Sequence, residues 1–202
     1  MKVPFSYQAT EYDCVPICFT NALKYLYERE EIPPAIIKRL MMYSLDAIDE
    51  NGEYGKYGTT GEAIERIMQW LGTYSKDKFA VKAEYLPQEQ IHLRRGNKII
   101  SCINRGGIAL LRVCLDKKGT LFHYILSLGI DETDSDWLLF HDPLYRVNPF
   151  IGEDKKHIEL LGGNSRQGAN LRIRRERLDL YEYAKYSLGT MDERECCLLE
   201  RL

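Results

Sequence analysis

The sequence predicts one α+β domain, helical in its first half and strand-rich in its second, and three observations carry that prediction. Apolar residues recur at three- and four-residue spacing from Val15 to Leu26, from Ile36 to Leu45 and from Ile64 to Leu71. That spacing lines one face of a helix. From Gly107 onward the pattern changes to short apolar runs, "GIALLRVCL", "LFHYILSLGI" and "WLLFHDPL", divided by polar turns, as strands are. Finally, 202 residues with 45% hydrophobic and 29% charged content are enough for a closed core and too apolar for a disordered chain. No internal repeat, linker or low-complexity tract interrupts residues 1–202, so a single domain is expected.

The first helix begins at Cys14. Asp13 is a suitable N-cap, and Pro16 falls at the third helical position, where a missing N–H costs no intrahelical bond. A second helix follows Pro33–Pro34, with Ile36, Ile37, Leu40, Met41 and Leu45 on its buried side. "NGEYGKYGTTG" reads as a glycine-rich loop. Thr59 and Glu62 then match a capping box for a third helix that stops at Gly72. "FAVKAEYL" reads as a strand, and a short helix around Ile99–Ile103 ends at Gly106–Gly107. The three runs after Gly107, joined by "DKKG" and "DETDSD", form an antiparallel meander. "ANLRIRR", "LYEYAKYSLG" and "RECCLLERL" read as further strands.

Bulk properties exclude several functions. The net charge is −2, from 28 basic and 30 acidic residues, and gives no reason to expect nucleic acid or anionic lipid as a partner. The one basic cluster, "RIRRER" at 172–177, reads as a solvated strand face. The chain contains no apolar run of about 18 residues, as a membrane span needs, and its first residues lack the apolar core of a signal peptide. A cytoplasmic location is expected. The six cysteines, at 14, 18, 102, 114, 196 and 197, do not space out as a disulfide framework and are expected to be free.

Of these thiols, Cys14 stands out. At a helix start, unpaired amides and the helix dipole favour the thiolate, which is the nucleophilic form. A buried, inert cysteine is the alternative, and it suits Cys18, one turn further along the apolar stripe. A nucleophilic cysteine needs a base, and the base needs an orienting acceptor. Among four histidines, His92 and His157 sit in polar surroundings and read as solvated. His123 lies near the start of one strand and Asp142 at the end of the next, positions that neighbour each other across an antiparallel pair. His141 should point to the opposite sheet face from Asp142. Gln8, six residues before Cys14, can supply a side-chain amide beside the Cys14 N–H, as an oxyanion hole requires. A metal site from His141, Asp142 and a cysteine lacks the paired-ligand spacing of such sites. No cofactor is called for.

"Q-x5-C" at a helix start, then "HYILSLGID", then "HDP", resembles the C39-like branch of the papain-like cysteine peptidases over roughly Ser6–Pro143. The resemblance implies a papain-like fold and a Cys–His–Asp triad, with Cys14 as nucleophile, His123 as base, Asp142 as orienter and Gln8 as oxyanion donor. The family pattern has glycine and a small residue where this chain has Val15 and Ile17. Branched side chains there are expected to narrow the cleft. The best-known members cleave leader peptides while fused to an export transporter. This chain carries no membrane segment or ATP-binding motif, so a stand-alone domain is expected. Three functions compete on these grounds. The first is a thiol hydrolase acting on a peptide or amide, the second an acyltransferase passing the acyl group to an amine, and the third a catalytically silent binding module. The segment after Pro143 is expected to be an elaboration over the cleft.

Overall fold

The computed structural model describes residues 1–44, 46–48, 50–53, 58–94, 96–162 and 168–202. Leu45, Arg95, the centre of the glycine-rich loop and part of the segment after Pro143 lie outside the described residues.

Three helices come first: α1 (Cys14–Leu26), α2 (Pro34–Tyr43) and α3 (Gly61–Thr73). A hairpin of β1 (Ser75–Lys76) and β2 (Phe79–Tyr85) precedes α4 (Lys98–Asn104). The meander follows as β3 (Ile108–Cys114), β4 (Phe122–Ile130) and β5 (Trp137–His141). The chain then adds β6 (Ile158–Leu160), β7 (Leu171–Arg174), the single turn α5 (Arg175–Leu178) and β8 (Cys196–Arg201). Among the described residues, all eight strands join one antiparallel sheet in the order β1-β2-β8-β3-β4-β5-β7-β6. The class is therefore α+β.

Side chains alternate across this sheet, and both faces are covered. Ile108, Leu110, Leu126, Cys197 and Leu199 pack with α1, α2 and α3. Ala109, Leu111, Val113, Ile125, Cys196 and Leu198 pack on the other side with α4, α5 and the loop bearing Tyr186 and Leu188. Each fully buried Leu or Ile contributes roughly 1.5–3 kcal/mol of transfer free energy. Double coverage explains why β3 reads as a continuous apolar run rather than an alternating one.

The meander turns are set by carboxylates. Asp116 Oδ1 accepts from the Gly119 and Thr120 amides, and Asp131 and Asp134 accept from the amides two residues on. These local bonds give the "DKKG" and "DETDSD" loops a reason to reverse direction.

Several sequence expectations change. Asp13 holds the N-cap position, but its carboxylate bonds the Thr10 N–H instead of the helix. Its backbone is outside the extended region that N-caps use, and Pro16 offers no N–H at the position such a side chain would reach. The cap of α3 is Thr60, which accepts from Ala63 N–H, while Thr59 donates to the Ser44 carbonyl and Glu62 pairs with Arg66 on the surface. "LYEYAKYSLG" is not a strand: it touches the sheet through one bridge, Cys114 to Ser187. "RIRRER" is ion-paired, not merely solvated. Arg172 meets Glu159 and Asp131, and Arg177 meets Asp154. The segment after Pro143 supplies β6 and β7 beside β5, and the C-terminal β8 inserts between β2 and β3.

Candidate active site

Cys14 is the first residue of α1 and half-buried, whereas the other five cysteines are buried. Burial pushes the thiols of Cys18, Cys102, Cys114, Cys196 and Cys197 up, Cys102 to about 11. Cys18 Sγ donates to the Tyr124 carbonyl, 3.3 Å away, which ties α1 to β4 next to His123. The N–H of Cys14 has no acceptor among the described residues, Pro16 has none to offer, and Ile17 N–H makes the first helical bond, to Asp13 O. The helix therefore presents an open amide beside an accessible sulfur.

His123 is buried at the second position of β4. The β4–β5 register pairs Leu126 with His141, so Asp142 continues beside Ile125 and has His123 as a diagonal neighbour. The contact is made: His123 Nε2 lies 2.7 Å from Asp142 Oδ1. With Nε2 engaged, Nδ1 is the ring nitrogen left to serve Cys14, whose sulfur acts on the imidazole. Burial draws the His123 pKa down, but the bonds to Asp142 and Cys14 outweigh it and raise the pKa to about 9. Burial likewise pushes the Asp142 carboxyl up, and its bonds to His123, Tyr186 and the Leu144 amide bring it below the usual carboxylate range.

Asp142 is held more thoroughly than the sequence suggested. Oδ1 also accepts from Leu144 N–H at 2.8 Å, Tyr186 O–H donates to Oδ2, and Arg146 Nε lies 3.5 Å from Oδ2. Its backbone is clamped by Asn170, which accepts from Asp142 N–H at 2.7 Å and donates to Asp142 O at 2.8 Å. Tyr186, Arg146 and Asn170 come from three segments that sequence reasoning did not connect to the site. No local pattern marks them, because only the return of the chain past β5 brings them to Asp142.

Gln8 is close to this centre through its backbone: its N–H donates to Pro143 O, directly after Asp142. Its side chain is not free as expected. Nε2 donates to the carbonyl of Thr10, and Oε1 is buried without a partner among the described residues. An amide nitrogen carries two N–H bonds, so one is spent within the loop. Val15 also departs from expectation. It is buried in the core with α1's apolar face, so it does not narrow an opening at Cys14. Ile17 is half-buried.

The remaining histidines are apart from Cys14. His141 is buried against the N-terminal segment, its ring 5.0 Å from that of Phe5 and its nitrogens facing the Gly168 and Ser6 carbonyls. His157 is half-buried between Glu153 and Glu176, and His92 is half-buried, so neither is the solvated residue expected. A cavity of about 360 Å³ opens behind Asp142, lined by Phe5, Tyr7, His141, Tyr145 and Arg146 among others. Among the described residues, no three His, Cys, Asp or Glu side chains come together as metal ligands.

No family model and no curated protein sequence matches the chain. Among solved structures it is similar to the peptidase domain of Streptococcus mutans ComA, a crystal structure. The two are 12% identical, with 97% of this chain and 98% of that chain covered and a TM-score of 0.38.

Proposed function

We propose that this protein is a thiol hydrolase of the C39-like, papain-like kind, a cysteine peptidase that cleaves a peptide or amide bond through an acyl-enzyme on Cys14. One observation carries the reading: a buried histidine bonds an aspartate through Nε2, and its pKa is raised by that aspartate and by Cys14, the cysteine that is not buried. That is the order of contacts that nucleophilic acyl transfer requires.

In the proposed reaction, His123 Nδ1 already holds the Cys14 proton in a thiolate–imidazolium pair, and the sulfur attacks the substrate carbonyl. The developing oxyanion draws on the open Cys14 N–H and on the second N–H of Gln8. The imidazolium gives its proton to the leaving nitrogen as the C–N bond breaks. Water, deprotonated by Nδ1, then attacks the thioester, the C–S bond breaks, and Cys14 is regenerated. With a pKa near 9, His123 holds the proton for the leaving group at neutral pH. Transfer of the same acyl group to an amine shares every step up to the thioester. The site requires no cofactor in this scheme, and the proposed location is cytoplasmic, without a membrane or nucleic-acid partner.

Exposure alone makes Cys14 the fastest thiol to alkylate, so the decisive test is dependence on histidine. Iodoacetamide labelling at pH 7, located by mass spectrometry, should mark Cys14 first, and His123→Ala should slow it by roughly a hundredfold. Unchanged labelling in that variant would overturn the proposal. Trapping an acyl-Cys14 species and offering water or an added amine distinguishes hydrolase from transferase.

A further inference from the structure

We propose that Tyr186, backed by Arg146, is a positioning residue that keeps the Asp142 carboxylate turned toward His123. The inference rests on the reading of Cys14 and His123 as a catalytic pair. A carboxylate that bonds its histidine through one oxygen can rotate away unless its second oxygen is held. Here the second oxygen receives the Tyr186 hydroxyl, and the first is shared by His123 and the Leu144 amide.

The direction of the tyrosine bond is set by its neighbour. Arg146 Nε donates to the Tyr186 oxygen at 2.8 Å, so the hydroxyl proton is left to point at Asp142. The Arg146 guanidinium also lies over the Tyr186 ring, 5.6 Å from its centroid. Burial pushes the Tyr186 phenol well above its ordinary value, so it remains a donor throughout the working pH range.

The backbone points the same way. Tyr186 has φ of +60°, a left-handed conformation that a bulky non-glycine residue seldom adopts. Such a residue persists only where its surroundings dictate it. Its N–H donates to Cys114 O at 2.6 Å, and its ring is fully buried beside Phe150. This accounts for the segment "LYEYAKYSLG", whose apolar pattern suggested a strand. Instead it forms a tight loop that delivers one phenol to the buried carboxylate.

The experiment is the pH profile of Cys14 alkylation by iodoacetamide in wild type, Tyr186→Phe and Arg146→Gln. Near-ultraviolet circular dichroism reports the fold. Tyr186→Phe keeps the ring and removes only the hydroxyl. Labelling at pH 7 should fall about tenfold, as for loss of a hydrogen bond to a charged group. The low-pH fall-off should also move to higher pH, because Asp142 loses a donor that favours its ionised form. Arg146→Gln should move the fall-off the same way by less. A Tyr186→Phe profile that coincides with wild type, or a lower rate with the fall-off unmoved, overturns the inference. If Tyr186→Phe does not fold, an unshifted fall-off in Arg146→Gln overturns it. Failure of the underlying site reading is separate: it appears in the His123→Ala arm, with Tyr186 intact.

Discussion

His123 is a buried base whose charge is sustained by one carboxylate and one thiol, and this makes stability depend on pH in a defined direction. Its folded pKa is about 9, above the ordinary 6.5. The stabilisation from the charged imidazole is therefore complete below about 6.5 and is lost as pH rises through about 9. Asp142 acts in the opposite sense. Its carboxyl is lowered from 3.8, so its contribution is present above that value and lost as pH falls through the folded pKa. Urea midpoints measured from pH 6.5 to 10 should fall for wild type, and the fall should be shallower in His123→Gln. Parallel curves for the two proteins would show that the imidazole is not charged in the folded state. The histidine–aspartate pairing was legible from two residues 19 positions apart, because an antiparallel connection reflects the chain onto itself. Tyr186 was not legible, since nothing in its neighbours records which carboxylate it meets.

At the scale of the element, α1 separates two cysteines four residues apart into different chemical environments. Cys14 ends the helix at its open amides, while Cys18 is one turn inside, fully buried beneath β4. Periodicity alone made this division, because i and i+4 share a face but only the first residue of a helix reaches its free end. Cys18→Ala should leave Cys14 labelling unchanged and lower stability by about 1–2 kcal/mol, through lost burial and lost packing. Cys14→Ala should abolish the fast labelling and change the denaturation midpoint little. A large stability loss in Cys14→Ala would assign that thiol to the core instead. The capping residues were less legible. Thr59 and Thr60 carry the same side chain, and the choice of Thr60 was made by Asp46, which accepts its N–H and hydroxyl.

At the scale of the molecule, the last strand is central. β8 pairs with β2 on one side and β3 on the other, so the β1–β2 hairpin joins the meander through the C-terminal strand. Cys197 and Leu199 enter the core under α1–α3, while Cys196 and Leu198 enter the opposite one. Removing residues 196–202 should therefore abolish the cooperative unfolding transition and expose the remaining cysteines to alkylation at similar rates. A truncated chain that kept its transition and its selective Cys14 labelling would contradict this role. "RECCLLERL" reads as a strand by composition, but its place in the sheet order is non-local and depends on which edges β2 and β3 leave open.

Local chemistry in the sequence determined where α1 begins, which thiol stands at its open end, and that His123 and Asp142 fall at adjoining strand ends. Those properties follow from helix and strand periods, which act over a few residues or across one turn. The tertiary structure alone decided that Val15 turns into the core and that Gln8 spends one amide N–H on Thr10. It also decided that Asp142 is clamped by Tyr186, Arg146 and Asn170. Each of these depends on contacts between segments far apart in the chain, and no local period specifies which distant group will satisfy a buried oxygen.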